Sequence, residues 1–292
     1  MPQQLAFIGL GIMGGPMAGH LLAAGHRLAV HTRTKARAQE LLARGATWAE
    51  NPAEAAAEAE VVFICVPDTP DVEAVVLGEC GIVKSARRGL VVVDHSTISP
   101  TATRAMNQKL AEKGATLLDA PISGGDVGAK NATLAIMVGG DAQAFTKVEP
   151  LLRHMGKTIV HCGPSGAGQL TKLVNQILVG VNLLAVSEAL TFAKKNGLDL
   201  EKTIQAIGGG AAGSWQLLNL GPKMIANDFR PGFLIDLMQK DLRLVSAAAN
   251  ESGSPIPAAA LLHQLFTSAQ AAGHGRDGTQ ALFRVLNQLA SA

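Results

Sequence analysis

The sequence predicts an α/β protein in which an N-terminal doubly wound parallel sheet is followed by an all-helical C-terminal domain, the two joined by one long central helix. Three observations predict this fold. Short apolar runs alternate with helix-patterned segments over the first 162 residues, which is typical of a parallel sheet covered by helices on both sides. One helical pattern then continues from about 168 to 195, and beyond it only helical patterns appear, broken by glycine and proline. We therefore expect a sheet domain at 1–162 and a helical domain at 163–292.

The composition narrows the class of protein. A chain of 292 residues that is 48% hydrophobic and 16% charged is long and apolar enough for two globular domains. Its net charge of +2 gives no reason to expect a nucleic-acid or membrane partner, and 3% aromatic residues argue against a base-stacking surface. The three cysteines are odd in number and form no Cys-x-x-Cys pair, so neither a disulfide framework nor a zinc site is predicted.

The expected location is the cytoplasm. No basic segment precedes an apolar one at the N-terminus, so the sequence predicts no signal peptide. The apolar run Ile177–Val186 is shorter than the roughly 20 residues that a membrane-spanning helix needs.

The first elements carry a phosphate-binding pattern. An apolar strand at Leu5–Ile8 leads into the motif G-x-G-x-x-G, a helix follows to about Ala24, and Arg27–His31 forms a second strand. Strand, glycine turn, helix and strand in this order predict a Rossmann-type dinucleotide site. The residues expected to contact the cofactor here are Gly9, Leu10, Gly11, Ile12, Met13 and Gly14.

The end of the second strand predicts which dinucleotide binds. NAD sites usually place an acidic residue there, but this chain has Thr32, Arg33 and Thr34, with no acidic residue before Glu40. A guanidinium can bind a ribose 2′-phosphate bidentately, so we expect NADP(H) to be preferred, with NAD(H) as the second choice. The alternative is a solvated basic turn that does not discriminate.

Later strands end in further candidate residues. Because ligands bind at the carboxyl ends of parallel strands, we expect Val66, Pro67, Asp68 and Thr97 near the cofactor. His95 is interpreted as a polar strand-end residue in preference to a catalytic one. The strands predicted after the second one are Val61–Val66, Leu90–Asp94, Thr116–Asp119, Leu134–Val138 and Thr158–His161.

The turn Ser123-Gly124-Gly125 offers a hydroxyl and bare backbone N–H groups, which suits a substrate carboxylate, with an ordinary glycine turn as the alternative. A second glycine-rich stretch begins at Gly163 and opens the long helix. There Lys172, Asn175 and Gln176 fall at i, i+3 and i+4 and share one face. The alternative is a solvated surface helix.

The long helix is apolar on nearly all sides between Leu173 and Leu190, which predicts burial. Lys240 and Asp241 form a pair that is interpreted, from the pattern alone, as solvated surface. The helices predicted beyond the central one are Glu201–Ile207, Trp215–Ile225, Ile235–Ser252, Ala258–Ala272 and Thr279–Leu289.

Four stretches together resemble the β-hydroxyacid dehydrogenase family, in order and over the whole chain. They are Phe7–Ala18, Asp119–Gly125, Gly163–Asn175 and Lys240–Leu242. The resemblance implies an NAD(P)-dependent 3-hydroxyacid dehydrogenase that acts on a small 3-oxo or 3-hydroxy acid and assembles as a homodimer or homotetramer.

The resemblance also implies roles for single residues. Lys172 would be the catalytic general acid, and Lys240 would close over the cofactor from the helical domain. The residues that would hold the substrate are Ser123, Gly124, Gly125, Asn175 and Gln176.

Two departures from the family pattern stand out. Family members that use NAD often carry Asp where this chain has His31 or Arg33. The stretch Arg276–Thr279 stands where reductases of this type often have Asp-His-Ser, so the resemblance does not determine the fine shape of the substrate pocket. A non-catalytic dinucleotide-binding module and an imine reductase are the rival interpretations, but both are expected to lack the lysine. No metal is expected, because the eight histidines show no ligand spacing.

Overall fold

The computed structural model describes residues 2–291, which form two compact units that divide between Lys172 and Leu173. The division lies ten residues beyond the expected one at 162/163. The reason is that the start of the long helix belongs to the first unit, where the Asp119 carboxylate accepts hydrogen bonds from the N–H groups of Gly166 (2.8 Å) and Gln169 (2.9 Å).

A single sheet of nine strands forms the centre of the first unit within residues 2–291. Its order is β3-β2-β1-β4-β5-β6-β8-β7, and β9 pairs with β8. The strands from β3 to β6 are parallel, and β8 is antiparallel to both β6 and β7. The strands are β1 (Gln4–Ile8), β2 (Arg27–His31), β3 (Thr47–Trp48), β4 (Val61–Ile64), β5 (Val91–Asp94), β6 (Thr116–Asp119), β7 (Ile122–Ser123), β8 (Leu134–Gly139) and β9 (Gly156–Gly163).

The sheet is buried on both faces because alternate side chains enter different cores. On β1, Leu5 and Phe7 belong to one apolar cluster, whereas Ala6 and Ile8 belong to the other. Both cores are covered by helices, which confirms the predicted doubly wound domain. The α-helices of the first unit are α1 (Gly14–Ala23), α2 (Gln39–Ala43), α3 (Pro52–Ala56), α4 (Thr69–Leu77), α5 (Pro100–Ala111), α6 (Gly125–Lys130) and α7 (Ala142–Leu152).

The register aligns the strand ends that carry the site. Ile8 pairs with Ile64, Ile64 with Asp94, and Asp94 with Asp119, so the last residues of β1, β4, β5 and β6 form one row. The loops that follow these strands therefore leave the sheet side by side.

The second unit is all-helical, as predicted, with its own apolar core. The helix α8 (Ala167–Lys195) begins in the first unit and continues into the second. The further α-helices are α9 (Leu200–Ile207), α10 (Trp215–Asn219), α11 (Gly221–Ile225), α12 (Ile235–Ser252), α13 (Pro257–Ala271) and α14 (Leu282–Ser291). The predicted single helix Trp215–Ile225 is wrong, since Pro222 has no N–H to continue the helical hydrogen bonding and the chain restarts at Gly221.

The predicted bounds of two strands in the first unit, β9 and β4, are also wrong. The strand β9 runs from Gly156 to Gly163 instead of Thr158 to His161, because its pairing with β8 continues over this whole length. The strand β4 ends at Ile64 instead of Val66, because the N–H of Val66 donates to the Ser96 Oγ (3.0 Å) and leaves the sheet. The helix α4 is capped by Asp68, whose carboxylate accepts the N–H of Thr69 at 2.7 Å. The short strands β3 and β7 were not predicted.

The expectation that α8 is buried all round is wrong for this chain. Val174 and Leu178 are 57% and 60% exposed, one helical turn apart. By length and composition α8 is also long and apolar enough to cross a membrane, contrary to the expectation from its ten-residue apolar run, and 39% of that window is buried. Core helices of other proteins meet the same criteria, so a single such helix is weak evidence for a span.

Candidate active site

The turn between β1 and α1 has the geometry of a phosphate loop. Gly9 adopts φ +97°, and a Cβ there would lie 2.2 Å from the carbonyl oxygen of Cys65. A Cβ on Gly14 would lie 1.9 Å from the carbonyl oxygen of Gly9. These two glycines are therefore required by the fold itself, because the strand, the turn and the helix approach too closely for any side chain.

Gly11 differs from its neighbours in this loop. A Cβ on Gly11 would meet no atom within 4 Å, so the chain itself leaves the space open. The helix α1 begins with no side-chain cap and no acidic residue in its first turn, so no carboxylate offsets the positive end of its dipole. This open, electropositive turn fits the pyrophosphate of a dinucleotide.

The basic turn after β2 is held by carboxylates. The Arg33 guanidinium is 80% exposed and lies 3.1 Å from the Asp71 carboxylate on α4. The Lys35 ammonium lies 3.4 Å from Glu50 and 4.7 Å from the centre of the Trp48 ring. Arg33 is thus held by a partner but remains accessible to an anionic ligand.

The loops after β4 and β5 are tied to each other by side-chain oxygens. The Ser96 Oγ accepts from Val66, as described above, and the Thr69 Oγ1 accepts the N–H of Ser99 at 3.1 Å. Pro67 and Asp68 lie in the first of these loops and Thr97 in the second. The candidate residues on the two loops therefore belong to one connected structure.

His95, next to this loop, is buried and neutral. It is 2% exposed, and its Nδ1 lies 2.7 Å from the carbonyl oxygen of Ala120, which assigns the hydrogen to Nδ1. Burial lowers the pKa of His95 to about 4, although the bond to Ala120 acts in the opposite direction. The imidazole stacks on Phe63 with 5.8 Å between ring centres. These contacts support the structural interpretation of His95.

This lowered pKa predicts acid sensitivity. In the unfolded chain His95 binds a proton as the pH falls below 6.5, whereas in the folded protein it does so only near pH 4. The unfolded state therefore binds more protons between these two pH values, and the folded protein loses stability there as the pH falls. The difference corresponds to about 3 kcal/mol of unfolding free energy. His95→Asn keeps a donor for Ala120 and does not titrate, so we expect urea unfolding at pH 7 and pH 4.5 to show a smaller loss for the variant. Equal losses in both proteins would contradict this origin.

The start of α8 is bonded to the loop that follows β5, one helical turn before Lys172. Gln169, which is fully buried, donates from Nε2 to the carbonyl oxygen of Ser96 (2.8 Å) and accepts the N–H of Ile98 on Oε1 (3.1 Å). Lys172 follows one turn later and is only 8% exposed. The solvated-surface interpretation of Lys172 is therefore wrong.

The Ser123–Gly125 turn connects β7 to α6. Gly124 and Gly125 both have positive φ (+133° and +62°), and a Cβ on Gly125 would meet no atom within 4 Å. Ser123 is half-buried and both glycines are exposed. Asp126 adds negative charge beside the turn, and Lys130 offsets it at 3.1 Å. The turn is open to a small anion.

In the second unit a polar chain runs from α8 to α12. The Asn175 amide donates to Gln176 (2.8 Å), the Gln176 amide donates to the Asp241 carboxylate, and the Lys240 ammonium lies 2.8 Å from Asp241. The Asp241 and Lys240 side chains are 3% and 13% exposed. The interpretation of this pair as solvated surface is thus wrong.

Several structural residues of the site were missed from the sequence. Asp119 and Gln169 hold the start of α8, and Ser96 joins two loops. Gln169 stands three residues before Lys172, on the same side of the helix, which was an available signal. Among residues 2–291 no group of three or more His, Cys, Asp or Glu side chains is placed to hold a metal ion.

Two family models match the chain. Residues 4–163 match the NAD binding domain of 6-phosphogluconate dehydrogenase. Residues 166–286 match the model described as NAD-binding of NADP-dependent 3-hydroxyisobutyrate dehydrogenase. Together they cover both units and support a nicotinamide cofactor.

Individual relatives agree with these models over nearly their full length. The 2-hydroxy-3-oxopropionate reductase of Escherichia coli is 44% identical over 288 residues, which are 99% of this chain and 98% of the relative. The structure of Mycobacterium tuberculosis 3-hydroxyisobutyrate dehydrogenase with L-serine has a TM-score of 0.90 at 34% identity, covering 98% of this chain and 99% of that one. Psf3 in complex with NADP+ and 2-OPP has a TM-score of 0.88 at 26% identity and covers 97% and 99%.

Proposed function

The chain belongs to the β-hydroxyacid dehydrogenases, a family of NAD(P)-dependent oxidoreductases, and we propose that within it this protein reduces 2-hydroxy-3-oxopropanoate (tartronate semialdehyde) to D-glycerate. The observation that carries the chemistry is the buried Lys172, one turn past the glycine-rich start of α8 and in the same unit as the phosphate loop. The choice of substrate is supported by the 44% identity to the E. coli reductase.

Lys172 and the Ser123–Gly125 turn have separate roles in the proposed reaction. A nicotinamide cofactor held by the phosphate loop would, when bound, supply the hydride for the aldehyde carbon. Lys172, as an ammonium, stabilises the negative charge that develops on the carbonyl oxygen and donates the proton that completes the alcohol. The hydroxyl and N–H groups of Ser123–Gly125 hold the substrate carboxylate, which keeps the carbonyl close to Lys172.

Three residues of the second unit have further roles in this proposal. Asn175 lies one turn beyond Lys172 and would orient the substrate, and Gln176 would support Asn175 by accepting a hydrogen bond from its amide. Lys240 remains a proposed cofactor contact. Its ion pair with buried Asp241 fixes the ammonium on α12.

Sister enzymes of the family are the alternatives. They are 3-hydroxyisobutyrate dehydrogenase, glyoxylate or succinic semialdehyde reductase, and sulfolactaldehyde reductase. 3-Hydroxyisobutyrate dehydrogenase is the second candidate activity, because the chain is similar to the structure of such an enzyme with L-serine. The Ser123–Gly125 turn favours a carboxylate over a sulfonate but does not separate one carboxylate from another.

A parallel set of steady-state assays tests the substrate. NADPH oxidation is measured with tartronate semialdehyde, glyoxylate, succinic semialdehyde and methylmalonate semialdehyde, and L-serine and 3-hydroxyisobutyrate are tested in the oxidative direction. We expect kcat/KM for tartronate semialdehyde to exceed the other aldehydes at least about tenfold, which is about 1.4 kcal/mol of transition-state binding. A higher value for another acid would contradict the substrate and leave the Lys172 chemistry intact.

The proposed coenzyme is NADP(H), with Arg33 as the residue that recognises the 2′-phosphate. A charge-assisted contact of this kind contributes about 1.5–3 kcal/mol. Arg33→Ala should therefore lower kcat/KM for NADPH about 10- to 100-fold and leave the value for NADH nearly unchanged.

A substitution of Asp71 provides a matched variant with the opposite expected effect. Its carboxylate lies 3.1 Å from the Arg33 guanidinium and would repel a phosphate there. Asp71→Asn removes that charge and should raise the NADPH-to-NADH ratio, in the direction opposite to Arg33→Ala. If Arg33→Ala lowers both coenzymes equally, the basic turn does not discriminate.

The cytoplasm and a homodimeric or homotetrameric assembly complete the proposal. Exposed apolar side chains on α8 support the assembly, since Val174 and Leu178 lack cover from this chain.

A further inference from the structure

The start of α8 packs against the sheet too closely to admit a side chain at Gly168. A Cβ on Gly168 would lie 2.4 Å from the carbonyl oxygen of Met137 and 2.8 Å from the N of Gly139. The buried Asp119 carboxylate satisfies two N–H groups at the same helix start, which the first turn of the helix cannot pair itself. The backbone of this turn therefore has one defined position.

Gln169 extends that fixed point to the loop after β5. Its amide uses both ends, since Nε2 donates to the carbonyl of Ser96 and Oε1 accepts from the N–H of Ile98. The two bonds hold the backbone immediately before and immediately after Thr97. A side chain that only filled core volume would need neither bond.

Lys172 lies three residues after Gln169 on the same helix. Three residues correspond to about 4.5 Å along the axis and nearly one full turn, so both side chains leave the same side of the helix. One turn of α8 therefore carries both Lys172, the proposed proton donor, and Gln169, which holds the loop of Thr97.

We propose that Gln169 is a positioning residue whose amide sets Thr97 in place relative to the Lys172 ammonium. This inference rests on the proposed function, because the geometry matters for turnover only if Lys172 is the proton donor. Thr97 is expected along the cofactor, so a displaced loop moves the reacting groups out of line even when all of them are present.

The test is Gln169→Met, which preserves length and apolar volume and removes both hydrogen bonds. With the best substrate of the wild-type protein, we expect kcat to fall about 30- to 100-fold, since misplacement by about 1 Å costs this much. KM and the dissociation constant for NADPH should change less than about threefold. The deuterium isotope effect with C4-labelled NADPH should rise, because hydride transfer becomes rate-limiting. If Met is not tolerated, Gln169→Glu tests the bond to Ser96 alone, since it keeps the acceptor for Ile98 and loses the donor to Ser96.

Asn107→Leu is the matched control. The Asn107 side chain accepts the N–H of Leu117 at 2.9 Å. The substitution therefore also removes a bond between a side-chain amide and the backbone, but this bond joins α5 to β6. The control should lose stability with kcat unchanged. A folded Gln169→Met with kcat within about twofold of wild type would overturn the proposal, as would an equal loss of kcat in Asn107→Leu.

Failure of the proposed function has a different signature. If the wild-type protein turns over none of the tested acids, the function falls, and hydrogen exchange then decides the role of Gln169. The Ile98 amide should exchange faster in Gln169→Met than in wild type or in Asn107→Leu. Unchanged exchange at Ile98 would overturn the positioning role without reference to any substrate.

Discussion

Lys172→Met is expected to lower kcat about 100- to 10,000-fold while NADPH still binds. The substitution keeps the length and apolar stem of the side chain and removes the ammonium that donates the proton, and loss of a positioned general acid has an effect of this size. Lys172 is buried, so methionine also suits its surroundings. Steady-state rates measure the loss, and quenching or energy transfer of NADPH fluorescence measures binding.

Lys172→Arg separates charge from position. It keeps a cation but changes its shape and its ability to give up a proton, so activity should remain low. Turnover in Lys172→Met within about tenfold of wild type would remove Lys172 from the chemistry and return the non-catalytic dinucleotide-binding module to consideration.

The glycines of the phosphate loop should separate into structural and functional ones. Gly9→Ala should lower the unfolding free energy by at least about 2 kcal/mol, because the new Cβ meets the Cys65 carbonyl at 2.2 Å and φ is +97°. Gly11→Ala should leave stability within about 0.5 kcal/mol, since its Cβ enters open space. The same Cβ occupies the room that a pyrophosphate needs, so NADPH affinity should fall at least about tenfold.

Gly209→Ala is the control for Gly11→Ala. A Cβ on Gly209 also meets no atom within 4 Å, and Gly209 lies in the second unit, outside the phosphate loop. We expect it to change neither stability nor NADPH affinity. Urea unfolding and fluorescence titration of the three variants check the separation. Unchanged NADPH affinity in Gly11→Ala would contradict the assignment of the open space to the cofactor.

Most of the first unit was predictable because local signals and tertiary structure agree there. Apolar runs placed β1, β2, β5 and β6 to within one residue, since strands buried on both faces have near-continuous apolar sequences. Two of the errors occur where one side chain intervenes. Ser96 takes the N–H of Val66 and shortens β4, and Pro222 divides a predicted helix in two.

The candidate site was predictable in its residue types and not in its connections. Lys172 and the Ser123–Gly125 turn follow from motifs, and their roles remain predictions. The bonds from Gln169 to Ser96 and Ile98 join residues more than 70 positions apart, which no local pattern contains. The burial of Lys240 beside Asp241 likewise depends on packing that the helix pattern does not specify.

Transfer of deuterium from NADPH to the product tests the proposed reaction most directly. The protein is supplied with tartronate semialdehyde and with NADPH labelled at C4 on one face or the other, and glycerate is analysed by mass spectrometry and NMR. Hydride transfer predicts one deuterium on C3 of D-glycerate from one of the two labelled coenzymes and none from the other. Glycerate without deuterium from both, or no glycerate while NADPH binds, would contradict the proposed reaction.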